Sequence, residues 1–375
     1  MTTVAASPAH PRWRIAPVIG LVGLALSGLG LLVDPRQAYA SWLAALAAGL
    51  SVALGTLLLI AIAGVSGARW FDSLRVFALD VAGTLPLFAL LFLVLLPGLG
   101  VLYPWVHARN LPNAAWLNLP WFLVRAALYF AIWIGVALTL RSWARASGAG
   151  VAAPPTPRER ALAAVALPAL GLTLTFAAFD WLMSLDPRWS STVFGVYWFA
   201  GGFLAALAVV TLAAVRIGAE RPHADRLPAA QGYALGALML TFAVFWAYIA
   251  YSQYFIIWIA NVPAEVAWYI PRVHGGWGIV ALAVLVGQLA LPLLVLLLYA
   301  AKRSARAMAV VAAWLLVVHY LDTYWLVLPA IHPDAPHPHW LDLSAVAAVG
   351  GCAVAWIGWL GRRDARTTGG LHAER

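Results

Sequence analysis

Apolar residues along this chain run in long blocks, each of roughly the 17 to 25 residues that a helix needs to cross a bilayer. The blocks lie near 17 to 33, 41 to 64, 76 to 101, 119 to 140, 161 to 183, 191 to 215, 229 to 260, 274 to 301, 307 to 329 and 341 to 361. Between them stand Asp34-Pro35, Pro97-Gly98, Pro154-Pro155, Asp186-Pro187, Pro222 and Pro333, where helices stop and backbone groups reach water. The pattern predicts an all-α polytopic membrane protein of about ten transmembrane helices. The loops are short and uniform, so residues 1–375 read as a single integral membrane domain with tails at 1–16 and 362–375. The first block follows Arg12 and Arg14, as in a signal peptide, but has no convincing small-residue cleavage site and reads as a retained first span.

Composition agrees with lipid as the solvent: 64% of residues are apolar and 10% charged. The net charge of +9 comes from basic residues placed singly or in pairs between apolar runs, not from a basic stripe, and nucleic-acid binding is excluded on that ground. With the N-terminus inside, 18 of the 23 basic residues fall on cytoplasmic segments and four (Arg36, Arg109, Arg188, Arg272) outside, while Arg125 sits within a span. Basic residues are retained on the cytoplasmic side, so both termini are expected in the cytoplasm. Cys352 is the only cysteine, which excludes an intrachain disulfide, a cysteine-held iron–sulfur cluster and covalent haem attachment. Metal redox chemistry would have to come from a partner.

Ionisable side chains in hydrocarbon cost about 2.5 to 3.5 kcal/mol each, so those present need a partner, a wet cavity or a task. Arg125 and Tyr129 share a face of the fourth block, and Asp180 lies at a similar depth in the fifth. An Arg125–Asp180 pair is expected from this, either pinning two helices or forming a proton or ligand site. His319 and Asp322, three apart on the ninth block, form the sharpest signal: a carboxylate beside an imidazole orients it as a proton acceptor. The alternative is an interhelical hydrogen bond. The seventh block ends in Tyr248, Tyr251, Ser252, Gln253, Tyr254 and Trp258, which read as an interfacial aromatic belt, or as a head-group pocket lined by Ser252 and Gln253. Asp80 stands apart near the inner end of the third block, open to cytoplasmic protons or snorkelling to the surface.

A membrane b-type haem needs two histidines on facing helices, and only His319 is well inside a block, with His274 at a boundary. His332, His337 and His339 with Asp334 are spaced like a weak metal cluster but fit a solvated loop better, and no metal site is expected.

Two stretches carry a resemblance: FDWLMSLDPRWSSTVFGVYWFAGG at 179–202 and YIAYSQYFIIWIANVPAE at 248–265. Together they resemble the ActF subunit of alternative complex III, a quinol:electron acceptor oxidoreductase, and the ten-span layout is similar to the wider NrfD and polysulfide-reductase membrane-subunit group. The resemblance implies two four-helix bundles, spans two to five and six to nine, with peripheral first and last helices. It places Asp180 and Asp322 on the last helices of the two bundles. It implies a haem-free subunit of the bacterial inner membrane, without an iron–sulfur cluster and not catalytic alone. Such a subunit faces the quinone pool, binds quinone or quinol or conducts protons, and packs against sister subunits carrying iron–sulfur clusters and c-type haems and against a homologous membrane subunit. The residues carried over are Asp180, Trp181, Ser184, Asp186 and Trp189 from the first motif, and Tyr251, Ser252, Gln253, Asn261 and Glu265 from the second. Arg188 and Ala264 depart from the pattern, where histidine and glutamate are expected.

Quinol oxidation releases two protons per two electrons, and this chain can supply only the base. The expectation is that Asp180, His319, Asp322 and the 251–253 face border one polar cavity in the outer half. The competing readings are a structural anchor and, more weakly, a secondary transporter with inverted repeats.

Overall fold

The computed structural model describes residues 11–108, 111, 113–146, 154–219 and 227–373, with the side chains of 11–14 and 364–373 left out. Several bearers of the charge bias, Arg12, Arg14, Arg109, Arg221, Arg226, Arg366 and Arg375, fall outside these residues or among those side chains, as does the break at Pro222. The described chain has no strand and ten helices long and apolar enough to cross a membrane. It is a multi-pass helical membrane protein.

The spans, numbered in chain order, are Ile15–Val33, Pro35–Ser66, Arg69–Leu93, Leu119–Ala146, Pro157–Leu185, Phe194–Ala219, Ala229–Ala260, Gly275–Leu297, Ala305–Ala330 and Trp340–Arg363. An even number puts the first helix's start and the last helix's end on one face, here the terminal face. Local signals set the boundaries. Asp34 caps span 2, its carboxylate accepting from the Gln37 amide, and Gly67 closes that helix with a positive φ. Thr156 and Glu159 form a capping box at the start of span 5. Span 3 ends at Leu93, earlier than the apolar run suggests, because Pro97-Gly98 breaks the rest of that run into short turns. Asn261, in the left-handed region at φ 48°, ends span 7, and a short amphipathic helix, Pro263–Val273, comes before span 8. The hydropathy pattern merged that helix into a loop.

Spans 2 to 5 close one four-helix bundle and spans 6 to 9 a second, while spans 1 and 10 pack on each other and on span 2. The bundles meet along spans 2 and 6. There a Cβ on Gly55 would come within 2.6 Å of the Gly202 carbonyl oxygen, and one on Gly202 within 2.7 Å of Ser51 Cβ. Lipid supplies no hydrophobic drive between helices, so such backbone approach is what holds the bundles together. Spans 2 and 6 run in the same direction. The repeat is therefore parallel, which removes the support for an inverted-repeat transporter.

Candidate functional site

Each bundle buries one aspartate on its last helix, and the two are treated differently. In the first, Asp180 is completely buried. Arg125 from span 4 grips it with Nε at 2.8 Å and Nη2 at 2.7 Å. Tyr129 donates its hydroxyl at 2.9 Å and Trp116 its indole N–H at 2.9 Å. Four donors saturate both oxygens. The Arg125–Asp180 pair read from the sequence is formed, and its geometry is that of a helix pin.

Two further ion pairs hold the same bundle near the terminal face. Asp80 is not isolated, as the sequence suggested: it accepts from Arg141 on span 4, through Nε at 3.1 Å and Nη2 at 2.5 Å. Arg75 on span 3 pairs with the buried Glu159 of span 5. The spacing between helices, not along them, brings these groups together, and only the packing of spans 3, 4 and 5 reveals it.

The second bundle holds its carboxylate without a cation. Asp322 is the only Asp or Glu within spans 6 to 9, and no described cation pairs with it. Its Oδ1 accepts from the Tyr197 hydroxyl of span 6 at 2.5 Å. His319 lies on the same face of span 9 but does not hydrogen-bond Asp322 as expected. Its Nε2 is 2.8 Å from Ser51 Oγ on span 2, and its Nδ1 is buried without a partner. Imidazole and carboxylate instead flank Gly201 of span 6. Ser51, Tyr197 and Gly201 escaped the sequence reading because a hydroxyl or glycine in an apolar run carries no signal of its own.

His319 also lines a largely apolar cavity of about 430 Å³ between spans 2, 3, 6, 9 and 10, which extends along Val209 and Ala213 to Arg216 near the terminal face. Asp180 and Asp322 do not line this cavity. The single outer-half cavity expected from the sequence therefore divides: Asp180 is locked in one bundle, and His319 and Asp322 form a separate cluster across the bundle junction.

On the face opposite the termini, the two motif segments converge. Ser191 donates to Gln253 Oε1 at 2.9 Å, and Gln253 Nε2 donates to the Tyr269 hydroxyl at 2.9 Å. Trp189 stacks on Trp268 with centroids 4.2 Å apart and planes 11° from parallel. A cavity of about 390 Å³ opens beside them, lined by Ser191, Thr192, Gln253, Ile256 and Glu265 among others, and again by neither buried aspartate. The remaining motif residues make local contacts of their own. Trp181 stacks on Phe130, Ser184 donates to the Asp180 carbonyl at 2.5 Å, and Asp186 accepts from the Arg188 amide. Asn261 supplies the turn after span 7. Tyr251 points outward and is 63% exposed, and Ser252 is half-buried, so the head-group pocket keeps Gln253 and loses these two.

A second polar cluster on this face was not foreseen. Asp342 Oδ1 accepts from Ser41 at 2.5 Å and from Gln37 Nε2 at 3.1 Å, and His332 Nε2 donates to Gln37 Oε1 at 2.6 Å. Burial and the neighbouring His337 push the His332 pKa down. These histidines serve the clasp between spans 2 and 10, and no three His, Cys, Asp or Glu groups are placed to hold a metal among the described residues.

A scan against protein-family models and a search of curated proteins found no match.

Proposed function

We propose that this chain is the haem-free, proton-conducting membrane subunit of a bacterial quinol:electron acceptor oxidoreductase, of the kind that its two motifs resemble. The observation that carries the reading is Asp322: a carboxylate buried within its span, with which no described cation pairs. Keeping a fixed charge there costs several kcal/mol, so such a group is carried neutral and can give up and regain a proton. His319 stands next to it as a base, and the cavity from His319 to Arg216 offers a route from the terminal face, which the basic residues assign to the cytoplasm.

The quinone-pool contact belongs to the cavity at Gln253 and Glu265, because residues of both motifs line it. Its mix of polar Ser191, Thr192, Gln253 and Glu265 with apolar Phe179, Val193 and Ile256 suits an aromatic head group bearing hydroxyls, and a cavity near 390 Å³ is of the right order for one. Glu265 is the base available to a bound quinol. Electrons leave to the partner subunits that the resemblance implies.

The decisive experiment replaces Asp322 with Asn in the complex purified from its native membrane. The complex assembles, and proton release per quinol falls by about 10²-fold; unchanged coupling would overturn the reading. A structural-anchor role is favoured by one observation, the saturated Arg125–Asp180 site, and it predicts instead that the Asp322 variant damages assembly and leaves the chemistry of whatever assembles intact. Identifying the proteins that co-purify tests membership of the complex.

A further inference from the structure

Ser51 makes two contacts that favour one tautomer of His319. Its hydroxyl donates to the Ala48 carbonyl at 2.9 Å, and its oxygen is 2.8 Å from His319 Nε2. Both are satisfied when His319 donates from Nε2, which leaves the lone pair on Nδ1. That atom is buried and has no partner, an arrangement that costs about 1 to 3 kcal/mol if nothing answers it.

Gly201 marks where the answer lies. A Cβ there would sit 3.3 Å from His319 Nδ1 and 3.4 Å from Asp322 Oδ2, and the next nearest atom is again the His319 ring. Glycine sets no side chain against either group, and any other residue would press a carbon on both.

We propose that Gly201 is a positioning residue that leaves room for one water molecule bridging His319 Nδ1 and Asp322 Oδ2, so that a proton crosses between them over the backbone of span 6. The inference rests on the proton-path reading and deepens it. A water molecule both donates and accepts, so it can donate to the Nδ1 lone pair while accepting from a protonated Asp322. In the transfer, the carboxyl O–H breaks as its proton goes to the water oxygen, and one water O–H breaks as its proton forms N–H at Nδ1. Carboxylate and imidazolium result, with the water unchanged. Tyr197 holds the other carboxylate oxygen throughout. The relay therefore runs through side chains of both bundles: Ser51 on span 2, His319 and Asp322 on span 9, Tyr197 on span 6.

Few other groups can titrate nearby. Spans 7 and 8 contain no Asp, Glu, Lys, Arg or His. Span 6 carries only Arg216, near the terminal face, and span 9 only Arg306 at its start, besides His319 and Asp322. Span 2 carries only Arg36, at its start on the opposite face.

The test is infrared difference spectroscopy of the full chain in lipid nanodiscs across a pH step, in H₂O and D₂O. The carboxyl band lost in Asp322→Asn identifies Asp322. Gly201→Ala and His319→Gln are each expected to shift that band and its titration midpoint, and the double variant to shift them no further than either alone. A band that ignores Gly201→Ala, or shifts that simply add, would overturn this inference while leaving Asp322 as a proton site. Should no band disappear in Asp322→Asn, the proton-path reading falls and this inference with it. His319→Gln tests the link independently if Gly201→Ala fails to fold: an indifferent band then overturns the bridge.

Discussion

The two bundles share a plan and differ in how each handles a buried carboxylate. In spans 2 to 5 every buried acid meets an arginine: Asp180 with Arg125, Asp80 with Arg141, Glu159 with Arg75. In spans 6 to 9 the one acid, Asp322, meets a tyrosine hydroxyl and lies across a glycine from His319 Nδ1, which has no hydrogen-bond partner. An ion pair in low dielectric fixes both charges, because moving either proton strands the other charge. An acid hydrogen-bonded only by neutral groups is free to change its charge. On the proposed reading one bundle serves as scaffold and the other as a titratable interior, and equivalent depth in a repeat does not mean equivalent chemistry.

The sharpest way to break this comparison is Arg125→Ala. Leaving Asp180 buried without its cation is expected to cost about 3 to 5 kcal/mol, read as loss of folded chain or a large drop in unfolding temperature. Replacing both partners with apolar residues should recover most of it. A single variant as stable as the parent chain would show that Asp180 is not locked. Next in size is Gln253→Leu, which strips partners from the Ser191 and Tyr269 hydroxyls and should cost about 1 to 3 kcal/mol by the same measurement, loosening the junction of the two motifs. Asp322→Asn is expected to change stability by less than about 1 kcal/mol, because the amide oxygen still accepts from Tyr197; destabilisation as deep as that of Arg125→Ala would make the bundles alike.

The smallest effect concerns the clasp that ties span 2 to span 10. Burial lowers the His332 pKa, so the unfolded chain binds this proton more readily than the folded one. Stability from the neutral His332–Gln37 contact is complete above the ordinary histidine value of about 6.5 and is lost as pH falls from there through the lowered folded value. The unfolding temperature of the parent chain should therefore fall more between pH 8 and pH 5.5 than that of His332→Gln; equal falls would remove His332 from the clasp.

Much of this architecture was legible along the chain. Ten apolar blocks became ten spans, and span 7 matched to the residue, because block length against bilayer thickness is a property of each segment alone. The Arg125–Asp180 pair was readable for a related reason: depth along a helix is set by residue number. What could not be read was which faces meet. Asp80 looked isolated because Arg141 lies a whole helix away, and His319 and Asp322 looked like a bonded pair because they sit three residues apart, whereas each turns to a different helix. Pro263–Val273 was missed because its polar and apolar residues alternate at a period that hydropathy averaging erases.

Composition and order alone determined that this protein lives in a bilayer, how many times it crosses, and that its few buried charges need partners. Tertiary structure decided which charges found them. Transfer into lipid is settled segment by segment, whereas neutralising a buried carboxylate depends on the rotation of neighbouring helices, and those rotations are set by close contacts such as Gly55 on Gly202 that no single segment contains.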